Sequence, residues 1–187
     1  MLHKIKGLKL WLLMAITAIA MSGCASTSPT TSKEFRNAVA GSSMATKDSF
    51  VVNRPYHQVI NTLQKNSKKC LNKSIKNTST THNGYYMQTS TNTMHYKTNF
   101  KKGRTLSSLE IKANSASMQS GITTAIYGET LRDGYFIAVV DVHKKGSNQT
   151  QVNIYRGSML FGANKTIIKA VKSWVNTGSR SCPNLAQ

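Results

Sequence analysis

Two stretches near opposite ends of the chain carry one-sided apolar stripes at helical spacing, and almost everything between them alternates like strand. Tyr56, Val59, Ile60 and Leu63 recur at i, i+3, i+4 and i+7, with Cys70 two turns beyond Leu63. Pro55 just ahead of them suits the first turn of a helix. Far downstream, Ile167, Ile168, Val171, Trp174 and Val175 share a second stripe, with Lys165, Lys169 and Lys172 opposite and Gly178 as the stop. Each stripe needs an apolar surface to cover it. A short strand, Phe50-Val51-Val52, precedes the first helix, and polar strands are expected over Ser74 to Thr81 and Gly84 to Asn99. In residues 106 to 113, Leu109, Ile111 and Ala113 fall on one face and Ser108, Glu110 and Lys112 on the other. A further short strand is expected around Ile122 to Glu129. Residues 135 to 142, YFIAVVDV, are apolar enough to be central, and they form a hairpin with 151 to 155, QVNIY, across a turn-rich HKKGSNQT. One antiparallel sheet of about five to six strands with both helices on one face buries both stripes at once, which is an α+β fold.

The beginning of the chain reads differently. Lys4, Lys6 and Lys9 precede LWLLMAITAIAM, which gives way to the small residues Ser22 and Gly23. That is the layout of a secretory signal, and the apolar run is shorter than the roughly 20 residues a membrane-spanning helix requires. Met21-Ser22-Gly23-Cys24 resembles the lipobox of bacterial lipoproteins. The resemblance implies cleavage before Cys24, diacylation of its thiol and acylation of its new amino group. Ala25, where an aspartate would retain the protein at the inner membrane, implies sorting to the outer membrane. Several acyl chains, at about 0.8 kcal/mol per buried methylene, give stable anchoring where one would not. The expected organisation is a signal peptide over 1–23, a lipidated terminus and flexible tether over 24–47, in which a short helix is weakly signalled around Glu34 to Val39, and a periplasmic α+β domain over 48–187. As a coil the tether would span roughly 25 to 30 Å. In element order the domain is similar to the helix-grip domains of small envelope lipoproteins.

Without residues 1–23 the chain keeps 22 Lys and Arg against 6 acidic residues, a formal charge of +16. Such a field favours anionic partners without specifying a fold. Of three cysteines, Cys24 is assigned to lipid, so Cys70 and Cys182 are expected to pair in an oxidising compartment. The bridge would close a loop of over a hundred residues and contribute on the order of 4 kcal/mol in the chain-entropy model.

Catalytic spacing is scarce. The chain has no His-Glu-x-x-His, Cys-x-x-Cys, Gly-x-Ser-x-Gly or phosphate-cradling glycine loop. His57, His82, His95 and His143 are scattered, so no metal or other cofactor is expected. Asp141 and His143 share a strand face, where the acid could orient a base or simply form a salt bridge. Two basic clusters stand out. Lys97, Lys101, Lys102 and Arg104 share a segment with Tyr96 and Phe100 at an expected hairpin tip, and Lys65, Lys68, Lys69, Lys73 and Lys76 gather where the first helix ends. Charge interleaved with rings suits single-stranded nucleic acid, while charge alone suits a membrane surface or solvation.

The expectation drawn from these features is a non-enzymatic, outer-membrane-anchored lipoprotein. Its basic periplasmic domain would bind an anionic envelope polymer or an acidic envelope protein within envelope assembly or secretion. The alternatives are an envelope hydrolase using Asp141 and His143, and a module that captures incoming DNA.

Overall fold

A computed structural model describes residues 29–42, 45–115, 134–157 and 163–185. The signal segment, Cys24 and the strand expected near Ile122 lie outside the described residues. In chain order the elements are α1 (Ser32–Ala40), β1 (Thr46–Val52), α2 (Tyr56–Leu71), β2 (Lys73–Asn83), β3 (Tyr86–Lys101), β4 (Leu106–Ser115), β5 (Tyr135–Lys144), β6 (Thr150–Arg156) and α3 (Ala163–Thr177). The strands form one sheet in the order β1-β6-β5-β4-β3-β2, antiparallel at every pairing. Helix α2 therefore carries the chain from one edge of the sheet to the other, and the five strands after it meander back to β1.

The apolar run of β5 lies between β4 and β6, as its composition requires. Ala138, Val140 and Val142 join the core under α2 and α3, while Phe136 and Val139 point to the opposite face. The register shifts between Ile111 and Lys112, which pair with Ala138 and Phe136, so Ile137 is an extra residue on β5. This bulge lets Ile137 and Ala138 both reach the main core. Val59, Leu63, Ile167, Val171, Trp174 and Val175 are fully buried there, so both helical stripes are covered by the same sheet face.

The two helices end in ways that lock them together. Gly178, with φ +74°, terminates α3, and its N–H donates to Trp174 O. The Arg54 guanidinium donates to the carbonyls of Trp174 (2.9 Å) and Val175 (2.8 Å), satisfying groups that the helix end leaves open. The tail then folds back over α2: Asn66 donates to Ser179 O, Trp174 Nε1 to Ser181 O, and Leu185 is buried. Cys70 and Cys182 form a disulfide across 112 residues of sequence.

The other face of the sheet differs from the sequence expectation. The stretch 24–47, read as a tether with a weakly signalled helix near Glu34 to Val39, contains a well-packed α1 over Ser32–Ala40 and the start of β1 at Thr46. Thr31 and Glu34 form a reciprocal capping box, and Phe35 stacks on Phe136 with centroids 5.2 Å apart while Val39 joins Val139. Only two apolar residues anchor this helix, too few for a sustained period. The beginning of β1 is polar because it lies at the sheet edge.

Charge completes that docking. Arg36 grips Asp141 with Nε to Oδ2 at 2.7 Å and Nη2 to Oδ1 at 2.6 Å, and also reaches Ser108 Oγ. Nearby, Lys101 and Asn99 donate to Glu110 at 2.6 and 3.0 Å, and the Ser32 hydroxyl joins them. Burial pushes the Glu110 carboxyl up, but the hydrogen bonds from Lys101, Ser32 and Asn99 outweigh it, so the pKa falls below the ordinary 4.5.

Two outcomes follow. Replacing Cys70 and Cys182 together by alanine should cost on the order of 4 kcal/mol in urea unfolding, because the unfolded chain regains the freedom of a long loop. Glu110 binds its proton more weakly folded than unfolded, so its stabilisation is complete above pH 4.5 and lost as pH falls through the lower folded value. Glu110→Gln should lower stability at neutral pH and flatten that part of the acid limb in pH-dependent denaturation.

Candidate anion-binding cleft

The sequence placed Tyr96 to Arg104 at a hairpin tip, but β3 continues to Lys101 and only the residues from Lys102 to Thr105 turn. Strand alternation then sorts the segment onto two faces. Tyr96 is buried in the main core and Phe100 packs against it, so neither ring stands among the charges as a stacking platform. Burial pushes the Tyr96 phenol up to about 12. Lys97 and Lys101 occupy the opposite face, where Lys101 is committed to Glu110.

Lys102 and Arg104 have a different setting. With Lys144 at the end of β5 they line an open cleft of about 590 Å³, whose other walls are Tyr56, His57, Ile60 and Asn61 from the first turns of α2 and Ser147 from the β5–β6 turn. The turn that bears them is held from below. Tyr56 Oη donates to Gly103 O at 2.9 Å and shares a 2.7 Å hydrogen bond with Ser107 Oγ, which also accepts from the Gly103 N–H. The Lys144 N–H donates to Thr105 O at 2.8 Å, joining the third cation to the same turn. A Cβ at position 103 would lie 2.1 Å from Leu106 O, so the close approach admits only glycine.

The electrostatics of the cleft are one-sided. Four of the six acidic residues are among those described, and each is engaged elsewhere: Glu34 in its capping box, Asp48 with Lys172 and Arg156, Glu110 with Lys101, and Asp141 with Arg36. The cleft also contains the start of α2, which has neither a side-chain cap nor an acidic residue in its first turn. Cations there oppose the positive end of the helix dipole. The second basic cluster is the reverse case. Lys68 and Lys69 occupy the last turn of α2, where the dipole favours them, and Lys65, Lys73 and Lys76 are solvated around that end. A 16-residue helix separates the two clusters, on the order of 24 Å.

The remaining chemistry is sparse. Both oxygens of Asp141 are held by Arg36, which leaves the pair with His143 without the free carboxylate that orienting a base requires. The register instead places Ser74 opposite His95, with Oγ 2.6 Å from Nδ1, on an exposed strand surface away from the cleft. Sequence reading missed this pair because the two are 21 residues apart and meet only through pairing. It also missed the cleft setting of Lys144, His57, Asn61 and Ser147, which long-range packing of α2 and β5 against the β3–β4 turn creates. Among the described residues no three His, Cys, Asp or Glu side chains form a metal-binding group, and no helix is long and apolar enough to cross a membrane. Comparison of the chain with protein families, curated proteins and solved structures finds no match.

The close approach at Gly103 is directly testable. Gly103→Ala should lower stability by roughly 1 to 3 kcal/mol, as overpacking does. Gly146→Ala, where a Cβ meets open space, should stay within about 0.5 kcal/mol of the parent in the same denaturation series.

Proposed function

We propose that this protein is an exported, lipid-anchored binding module, tethered to the outer membrane through Cys24, whose periplasmic domain recognises an anionic envelope partner without catalysing a reaction on it. The supporting observation is the cleft: Lys102, Arg104 and Lys144 converge on one concavity while every described carboxylate is engaged elsewhere. An external anion supplies the missing countercharge. Its role in envelope assembly or secretion is that of a receptor for a charged component. Neither alternative gains support, since Asp141 is occupied by Arg36 and the Tyr96 ring is buried.

Native-cell mass spectrometry tests the anchor, and an unmodified Cys24 thiol would remove it. A full-length Cys24→Ser chain, freed from its own lipid, isolates the electrostatic half. Its binding to lipopolysaccharide should weaken steeply as salt rises. The triple variant Lys102→Ala, Arg104→Ala, Lys144→Ala should bind at least about tenfold less tightly, given the strength of charge-assisted hydrogen bonds. Replacing Lys65, Lys68 and Lys69 should have the smaller effect. Binding that ignores salt, or that depends on the second cluster alone, would overturn the proposal.

A further inference from the structure

Resting on that reading, we infer that the cleft is a site for a phosphorylated sugar: a phosphomonoester held by Lys102, Arg104 and Lys144, with the sugar ring lying toward Asn61 and Ser147. Three observations lead to this ligand class. At about 590 Å³ the cleft is within the range of small-molecule sites and larger than one phosphate needs. Its walls carry both charged and neutral donors. The three cations come from the β3–β4 turn and the end of β5, whereas Asn61 on α2 and Ser147 beyond β5 present exposed uncharged groups suited to hydroxyls. The third observation is rigidity. The Tyr56, Gly103 and Ser107 hydrogen bonds and the Lys144 to Thr105 bond fix the backbone that carries the cations, so a ligand has only their side chains left to order.

The arginine gives the site a geometric requirement. A guanidinium can meet two oxygens of a terminal phosphate in parallel, which an ammonium cannot. Single-stranded nucleic acid is the less suitable ligand, because its sequence-tolerant binding draws on exposed rings and Tyr56 is buried with its hydroxyl engaged. The same phosphorylated-sugar chemistry occurs on lipid headgroups and in free sugar phosphates, and the two sources can be separated by competition.

Calorimetric titration of the full chain in detergent with glucose 1-phosphate, inorganic phosphate, glucose and an oligothymidylate tests the inference. Glucose 1-phosphate should bind about tenfold or more tightly than inorganic phosphate, with glucose weaker still. Arg104→Ala should reduce that affinity by about tenfold, Arg104→Lys should recover only part of it, and Asn61→Ala should narrow the preference over inorganic phosphate. Lipopolysaccharide that displaces glucose 1-phosphate, and loses this ability once dephosphorylated, assigns the site to a headgroup. Glucose 1-phosphate binding without such competition assigns it to a free sugar phosphate, and either result supports the inference. Equal affinity for glucose 1-phosphate and inorganic phosphate overturns it, as does tighter binding of the oligothymidylate. Both can occur while salt-sensitive binding to lipopolysaccharide persists, so the proposed function can survive the failure of this ligand assignment. Loss of that salt-sensitive binding would instead count against the function itself.

Discussion

Helix α2 is pinned at both ends, and the rest of the structure takes its geometry from that. At its first residue, Tyr56 bonds the β3–β4 turn through Gly103 and Ser107; near its last, Cys70 is covalently tied to the tail beyond α3. Between these points Val59, Ile60 and Leu63 settle into the sheet and meet the stripe of α3. A helix free at either end could pivot over a flat apolar surface, since burial is proportional to area and has little direction of its own. The hydrogen bonds and the disulfide supply that direction. The cleft is a by-product of the first pin: to be held by Tyr56, the β3–β4 turn must bring its charges to the start of the helix.

Charge is distributed as though carboxylates were scarce. Against 25 Lys and Arg residues the chain has 6 acids, and three of the four described attach parts to one another, while Glu34 caps its own helix. Asp141 holds α1 through Arg36, Asp48 joins β1 to α3 through Lys172, and Glu110 gathers Lys101 with Ser32. Exposed pairs of this kind contribute little, but the Arg36 and Asp141 pair is bidentate and half-buried, which makes it the stronger member. Using the described acids internally leaves the cleft cationic, so attachment of the parts and the proposed recognition of anions draw on the same imbalance.

What could be read from the chain follows the range of the interactions concerned. The α2 and α3 stripes, the central β5 and the β5–β6 hairpin are local patterns of period 3.6 or 2, and the sheet with both helices on one face follows from them. Helix α1 was only weakly signalled, as a short helix around Glu34 to Val39, because Phe35 and Val39 acquire their full meaning only against Phe136 and Val139, about a hundred residues away. Linear clustering of charge misled in a specific way. Tyr96, Lys97, Lys101, Lys102 and Arg104 are neighbours in sequence, yet alternation buries one, sends two to the far face and leaves two in the cleft. Their actual companion, Lys144, comes from a strand that reaches them only through the β4–β5 register.

The placement of α1 also bears on where the cleft can work. With Cys24 lipidated as proposed, eight residue steps separate the anchor from Ser32, and even fully extended they span at most about 28 Å. A tether running to residue 47 would have let the domain turn freely. Ser32 meets Glu110, Glu110 meets Lys101, and Lys101 is next in sequence to Lys102 at the cleft. The leash therefore joins the domain near the middle of β4, on the sheet face opposite α2 and α3. Under the proposed anchoring, a charged site on so short a leash would gain from the high local concentration of its own membrane's headgroups, and modest intrinsic affinity for a phosphorylated sugar would then suffice to fill the cleft.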